Sequence, residues 1–248
     1  MRVTYEERSY RWGANGIGLS LAHVLAEDND VEKIHIVDRV AVADEAMLDK
    51  FESHIFDLEN TDYSFFDRFG DVDALIITAG FGRPALFADV DESHIVSSFN
   101  VNAVAPIRII HHFYDRLSSS ADFKCAVMVS IAGFMSSPFF SIYAATKASL
   151  KIFIESVNVE LEKAGSKNKI MNVSPGSIKG TSFNKGRTDL DVTRPLAIEI
   201  IEHLNAGDDL FIPKYEEVFK EVLNRYAADF RAEGRHSYDY KLNSGRMK

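Results

Sequence analysis

Three side chains near the middle of the chain are spaced for proton transfer to or from an oxygen. Tyr143 and Lys147 lie four apart in Tyr143-Ala144-Ala145-Thr146-Lys147, and Ser130 precedes them by thirteen residues. Positions four apart on a helix share a face, so Tyr143 and Lys147 point into one site. A phenol has a pKa of roughly 10 and exchanges protons poorly near neutrality. A neighbouring ammonium favours the phenolate, and on that argument Lys147 lowers the pKa of Tyr143. A tyrosine tuned in this way passes a proton to or from a carbonyl or alcohol. Alone, Tyr-x-x-x-Lys is a weak signal, because most such pairs lie on the solvated face of a helix.

The elements around the three residues add weight. Ser130 closes the apolar run Cys125-Ala126-Val127-Met128-Val129, which reads as a buried strand. A serine at the carboxyl end of such a strand stands where open α/β sheets take ligands. Apolar spacing predicts helices over residues 18–27, 92–117, 143–163, 195–205 and 215–230. Short apolar runs predict strands over 33–37, 53–56, 74–78, 126–129, 170–173 and 210–212. Alternating strands and helices signal a parallel sheet. The tail 231–248 is polar with scattered tyrosines and reads as frayed, the alternative being a cover over the substrate mouth or a partner surface.

With Asn102, the segment Asp73-Ala74-Leu75-Ile76-Ile77-Thr78-Ala79-Gly80, and Pro175-Gly176, the Ser130, Tyr143 and Lys147 pattern resembles the short-chain dehydrogenase/reductase family. The resemblance runs from about Gly13 to about Thr181. It implies an α/β fold, a doubly wound Rossmann-type parallel sheet in a single domain over 1–248, with 214–248 as a C-terminal helix and tail extension. It implies an alcohol–ketone oxidoreductase with a nicotinamide cofactor, assembled as a homodimer or homotetramer. By the same resemblance Tyr143 is the general acid/base, Ser130 bonds the reacting oxygen, Lys147 holds the nicotinamide ribose, and Asn102 holds a water in a proton relay. The loop Pro175-Gly176-Ser177-Ile178 orients the nicotinamide amide. Leu58, Ala79 and Gly80 join the cofactor set, and Thr181 or Ser182 supplies a hydroxyl where Gly180 takes the usual place.

Gly13-Ala14-Asn15-Gly16-Ile17-Gly18 opens a predicted helix, where backbone amides and the helix dipole suit a pyrophosphate. Asp38 ends the next strand and can accept hydrogen bonds from a ribose diol while repelling a 2′-phosphate. Asp57 matches a family position beside the adenine. Arg39 opens the alternatives of meeting a 2′-phosphate or stacking on adenine; with Asp38 in place the expectation is NAD rather than NADP. Two features run against this region. Only Ala14 and Asn15 separate Gly13 from Gly16, one residue fewer than the family pattern. The segment from Glu6 to Trp12 is too polar for a central parallel strand.

Composition excludes several classes. The chain has 248 residues, 46% hydrophobic and 26% charged, with no linker or repeat. No apolar run approaches the ~20 residues of a membrane span, and the N-terminus is too polar for a signal peptide. Net charge of −9 argues against nucleic acid. One cysteine, Cys125, excludes an internal disulfide and agrees with a reducing cytoplasm. Of eight histidines only His111-His112 are close, and adjacent helical residues do not converge on one ion, so no metal is expected.

The substrate is a small carbonyl or alcohol of unspecified class. Phe134, Met135, Phe139 and Phe140 suggest an apolar wall, and packing beneath a loop explains them equally well. Residues 182–194, with Lys185, Arg187, Asp189 and Asp191, occupy the family's mobile lid. Two other functions use the same residues or fold: a dinucleotide-binding regulator or scaffold, favoured by the short glycine loop, and a sugar epimerase or dehydratase, which usually needs a larger C-terminal domain.

Overall fold

The computed structural model describes residues 13–181, 183 and 188–244. Six parallel strands follow the predicted order. β1 (Ile34–Asp38) pairs with β2 (Phe51–Ile55), Ile34 opposite Phe51 and Asp38 opposite Ile55. β3 (Ala74–Ile77), β4 (Lys124–Met128), β5 (Ile170–Val173) and β6 (Leu210–Phe211) lie side by side in that order. Successive side chains leave a strand on opposite faces. Leu75, Ile77, Cys125 and Val127 therefore enter one core, and Ala74, Ile76 and Ala126 enter another. Burial on both faces is why these strands read as unbroken apolar runs.

The second core also takes Ile34 and Ile36, so the same layer covers both sheets. That layer consists of α1 (Gly16–Ala26) and α6 (Leu190–Ala206), while α3 (Ala105–His112) and α5 (Ser141–Lys163) cover the opposite face. The Ala14 amide donates to Asp38 at 3.0 Å, and a Cβ on Gly13 would lie 3.1 Å from Thr78 Oγ1. The chain thus enters α1 between the ends of β1 and β3. The polar segment from Glu6 to Trp12 lies outside the described residues.

Three helix predictions are corrected. The single helix over 92–117 is interrupted: α2 (Glu92–Phe99) passes through a π-helical turn at Asn100–Val104 into α3, and Phe113 breaks the run before α4 (Tyr114–Ser118). Pro106 has no N–H to give the Asn102 carbonyl four residues back, which favours the wider turn. The helix predicted from Pro195 starts at Leu190 instead, because the Asp189 carboxylate caps it by accepting the Val192 amide at 3.2 Å.

The third correction concerns the C-terminus. The helix predicted over 215–230 is a π-helical turn (Tyr215–Phe219) leading into α7 (Lys220–Ala228), ended by extended Asp229. Asp229 then caps a further helix, α8 (Phe230–Asn243), by accepting the amides of Arg231 and Ala232. Residues 231–243 are therefore ordered helix, not a frayed tail. Hydrophobic periodicity was the wrong guide here: α8 is held by polar and aromatic contacts. Buried Glu233 accepts from Arg225 Nε of α7 at 2.8 Å, and Lys241 Nζ donates to Ser137 Oγ and the Pro138 carbonyl at 2.8 and 2.9 Å.

Candidate active site

The carboxyl ends of β4 and β5 bring Ser130 beside Pro175. The amide of Ile131 donates to the Pro175 carbonyl at 3.0 Å, and the Ser130 hydroxyl approaches the same oxygen at 3.4 Å while accepting the Ala132 amide at 3.1 Å. The first turns of α5 cross this point with Ala144, Ala145 and Ala148, small enough for close approach. Ser130 hydrogen-bonds the Tyr143 phenol. One turn on, Lys147 is fully buried and donates from Nζ to the Met128 carbonyl at 2.8 Å. Its Nζ stands 5.8 Å from the Tyr143 ring centroid.

The protonation balance differs from the sequence expectation. Burial holds Lys147 down, to about 7 from an ordinary 10.5. Burial pushes Tyr143 up to about 12, and the Ser130 hydrogen bond opposes only part of that rise. An enclosed pocket penalises the charged form of each group. In the protein alone burial outweighs the lowering of the phenol, and the Ser130 hydrogen bond is one group that opposes it.

Asn102 sits in the π-helical turn with its side chain fully buried. Its Oδ1 accepts the Phe81 amide at 2.9 Å, and its Nδ2 donates to the Phe81 carbonyl at 2.8 Å and to Thr146 Oγ1 at 3.3 Å. The carboxamide thus pins the loop after β3 rather than facing open water. A Cβ on Gly80 would lie 3.1 Å from Lys147 Nζ and 3.4 Å from Asn102 Oδ1, so both polar groups border the same exposed stretch of backbone.

The glycine loop compensates for its short length by folding tightly. Gly13 has φ +126°, and a Cβ there would stand 2.5 Å from Gly18 Cα. Asn15 precedes α1 without a side-chain cap. The Gly16 amide instead donates to Thr188 Oγ1 at 2.8 Å, a neutral acceptor at a helix N-terminus that suits an anion. Ile17 and Gly18 are buried beneath this turn. Asp38 has one oxygen on the Ala14 amide and keeps acceptor capacity, since a carboxylate offers about four sites. Arg39 is exposed next to it. These groups fit a dinucleotide: helix amides for phosphate, a carboxylate for a diol, and a buried lysine beside Gly80.

The remaining expected cofactor residues divide. Ala79 packs on the core at the end of β3. Asp57 Oδ1 accepts the Glu59 amide at 2.9 Å, and the Leu58 carbonyl accepts the Tyr63 hydroxyl at 2.8 Å, so both are used in shaping the turn after β2. Thr181 turns its hydroxyl to the Ile178 carbonyl at 3.2 Å and its carbon side towards Gly16. Gly176 faces Phe219 instead of open space; a Cβ would come within 2.6 Å of that ring. Ser182, Lys185 and Arg187 lie outside the described residues.

Beside Tyr143 a small cleft is lined by Arg83, Val90, His94, Phe139 and Phe140. The ring of Phe183 stands beside it, its centroid 5.1 Å from that of Tyr143. Of the four apolar wall candidates, Phe139 and Phe140 take that place, whereas Phe134 lies under the Lys151 ammonium at 5.0 Å. Residues 13–191 match the family described as short chain dehydrogenase. The chain belongs to the short-chain dehydrogenase family.

Within that family it is 26% identical to short-chain dehydrogenase RED1 of Pyricularia oryzae over 73% of this chain and 62% of that protein. The chain spans less than two thirds of the length of the curated relatives it matches first. A short-chain dehydrogenase/reductase from Burkholderia phymatum, solved in complex with NAD, superposes with a TM-score of 0.76 at 16% identity, covering 94% of this chain and 97% of that one. A short-chain dehydrogenase from Burkholderia cenocepacia, solved with NADP, gives 0.75 at 20% identity, covering 95% and 99%. At these identities the likeness shows the fold.

Four contributors to this short-chain dehydrogenase's site escaped sequence reasoning: Thr188, Phe219, Arg83 and His94. Thr188, just before α6, and Phe219, at the end of the π-helical turn before α7, reach the site from far along the chain, and no local pattern signals that. Arg83 lies in the loop after β3 and His94 in α2, and neither falls in a motif described above.

Proposed function

We propose that the chain is a nicotinamide-dependent oxidoreductase that interconverts an alcohol and a ketone, acting as a single-domain enzyme. The observation that carries this reading is the convergence of Ser130, Tyr143 and Lys147 at the carboxyl ends of β4 and β5 beside an open cleft. A bound nicotinamide supplies or accepts the hydride. Tyr143, protonated at neutral pH, donates its proton to the carbonyl oxygen during reduction and takes it back during oxidation. Ser130 holds the same oxygen by a hydrogen bond. Lys147, titrating near 7, holds ribose hydroxyls and passes a proton onward from the phenol. Asn102 positions this assembly by fixing the Phe81 backbone.

The cofactor residues favour NAD over NADP because Asp38 meets the ribose end. The related folds solved with NAD and with NADP support a nicotinamide dinucleotide in general. The substrate is a small carbonyl compound or alcohol, and the apolar ring wall admits a hydrophobic one. A cytoplasmic setting and a homodimer or homotetramer accord with the buried single cysteine and with family habit.

The deciding experiment is a titration of the full chain with NADH and NADPH, read by calorimetry. Binding of NADH in the micromolar range supports the reading. Failure of both to bind would make the protein a scaffold on the same fold. The Thr188 hydroxyl on the α1 amide and the short glycine loop are the observations that favour this second outcome.

A further inference from the structure

Away from the site described above, β1 and β2 bring two imidazoles and a carboxylate to one point. Parallel pairing sets His35 opposite Glu52 and Val37 opposite His54. Side chains two apart on a strand share a face, so His35, Glu52 and His54 all leave the sheet on the same side. His35 Nδ1 lies 3.0 Å from His54 Nε2 and 3.1 Å from Glu52 Oε2, and His54 Nε2 lies 3.8 Å from Glu52 Oε2.

We propose that His35, Glu52 and His54 form a binding site for a divalent transition-metal ion of the zinc class, clamping β2 to β1. Zinc held tetrahedrally at about 2.0–2.1 Å keeps its ligands about 3.3 Å apart. The three observed separations bracket that edge, so small side-chain rotations place all three atoms on one ion. Two imidazoles and a carboxylate suit zinc and leave its fourth position for water.

The surroundings favour the ion. Lys33 Nζ holds the other Glu52 oxygen at 2.8 Å, which fixes the carboxylate with Oε2 turned to the histidines. Phe69 lies 5.0 Å from the His35 ring and 5.2 Å from the His54 ring, walling the inner side with apolar surface. The ligands come from two strands separated by a loop, which is why no spacing in the sequence resembles a zinc motif.

The test uses the full chain, stripped of metal by chelator and titrated with zinc chloride. One zinc per chain is expected, with a rise in thermal midpoint. Cobalt in place of zinc should give the visible bands of a four-coordinate ion. His54→Ala and Glu52→Gln should each weaken binding by about tenfold or more, since even outer partners of metal ligands carry effects of that size. Glu52→Gln keeps the shape of the residue, so it reports on the site if His54→Ala fails to fold. His112→Ala, at a separate surface pair with Asp67, should bind zinc as the wild type does. Absence of stoichiometric uptake, or wild-type affinity in Glu52→Gln, would overturn the proposal.

Discussion

Tyr238 stacks on Phe139, ring centroids 4.5 Å apart and planes inclined by 27°, and so fastens the last helix to the wall of the cleft. Phe139 has φ +66°, a left-handed backbone that is costly for a bulky residue. Its carbonyl accepts the Ala85 amide at 2.9 Å, and Ala85 also lines the cleft. Such a conformation persists only where neighbours over-determine it.

Tyr238→Ala is therefore expected to loosen this wall. An aromatic pair is worth about 0.5–1.5 kcal/mol beyond its buried area, so the loss of stability should be about 1–2 kcal/mol. In steady-state kinetics the change should fall on KM for the carbonyl substrate, with kcat altered less, because Tyr143 stays on α5. Equal falls in kcat and kcat/KM would show that α8 acts on the chemistry instead.

Tyr143→Phe removes the proton donor and keeps the ring. Turnover should fall by about 10²–10⁴-fold, the usual contribution of a positioned acid or base. NADH affinity should change little, because the phenol is not required for the phosphate or diol contacts. Activity within threefold of wild type would remove Tyr143 from its role.

The sequence carried the alternation of strands and helices because β3, β4 and β5 are buried on both faces and their residues are almost all apolar. It carried Ser130, Tyr143 and Lys147 because their spacing follows local geometry. It missed α8, whose stability rests on the Asp229 cap and on Tyr238 and Lys241 meeting residues about a hundred positions away. The sequence held Pro106, which favours the π-helical turn, but gave no sign that the Asn102 side chain would turn inward to bond the Phe81 backbone. The Tyr143 shift was misread because proximity to Lys147 was legible while the burial of both groups was not.

Burial of Lys147 makes stability depend on pH in a defined window. Its pKa falls from 10.5 in the open chain to about 7 in the fold, so between these values the unfolded chain holds more protons. Stability from this group therefore rises with pH across that window. The gain between pH 7 and 9 is about 2 kcal/mol at a slope approaching 1.36 kcal/mol per unit. Lys147→Met should lose this dependence. Urea unfolding of both proteins at several pH values measures the difference, and parallel curves would show that the ammonium is not desolvated.

Asp38 is expected to set the choice between cofactors in the proposed enzyme. One carboxylate oxygen is held by the Ala14 amide at 3.0 Å, which fixes the group at the mouth of the glycine loop. A ribose diol can donate to the remaining acceptor sites, whereas a 2′-phosphate would bring a dianion against an anion. Hydrogen bonds to charged groups are worth about 1.5–3 kcal/mol, so NADH should bind at least about tenfold more tightly than NADPH. Asp38→Ser keeps an acceptor for Ala14 and removes the charge. Exposed Arg39 is then able to meet the phosphate, and the preference should narrow to within about threefold or reverse. Parallel calorimetric titrations of wild type and variant decide the matter. Tighter NADPH binding by the wild type would show that Arg39 governs the choice and that Asp38 serves only to hold the loop.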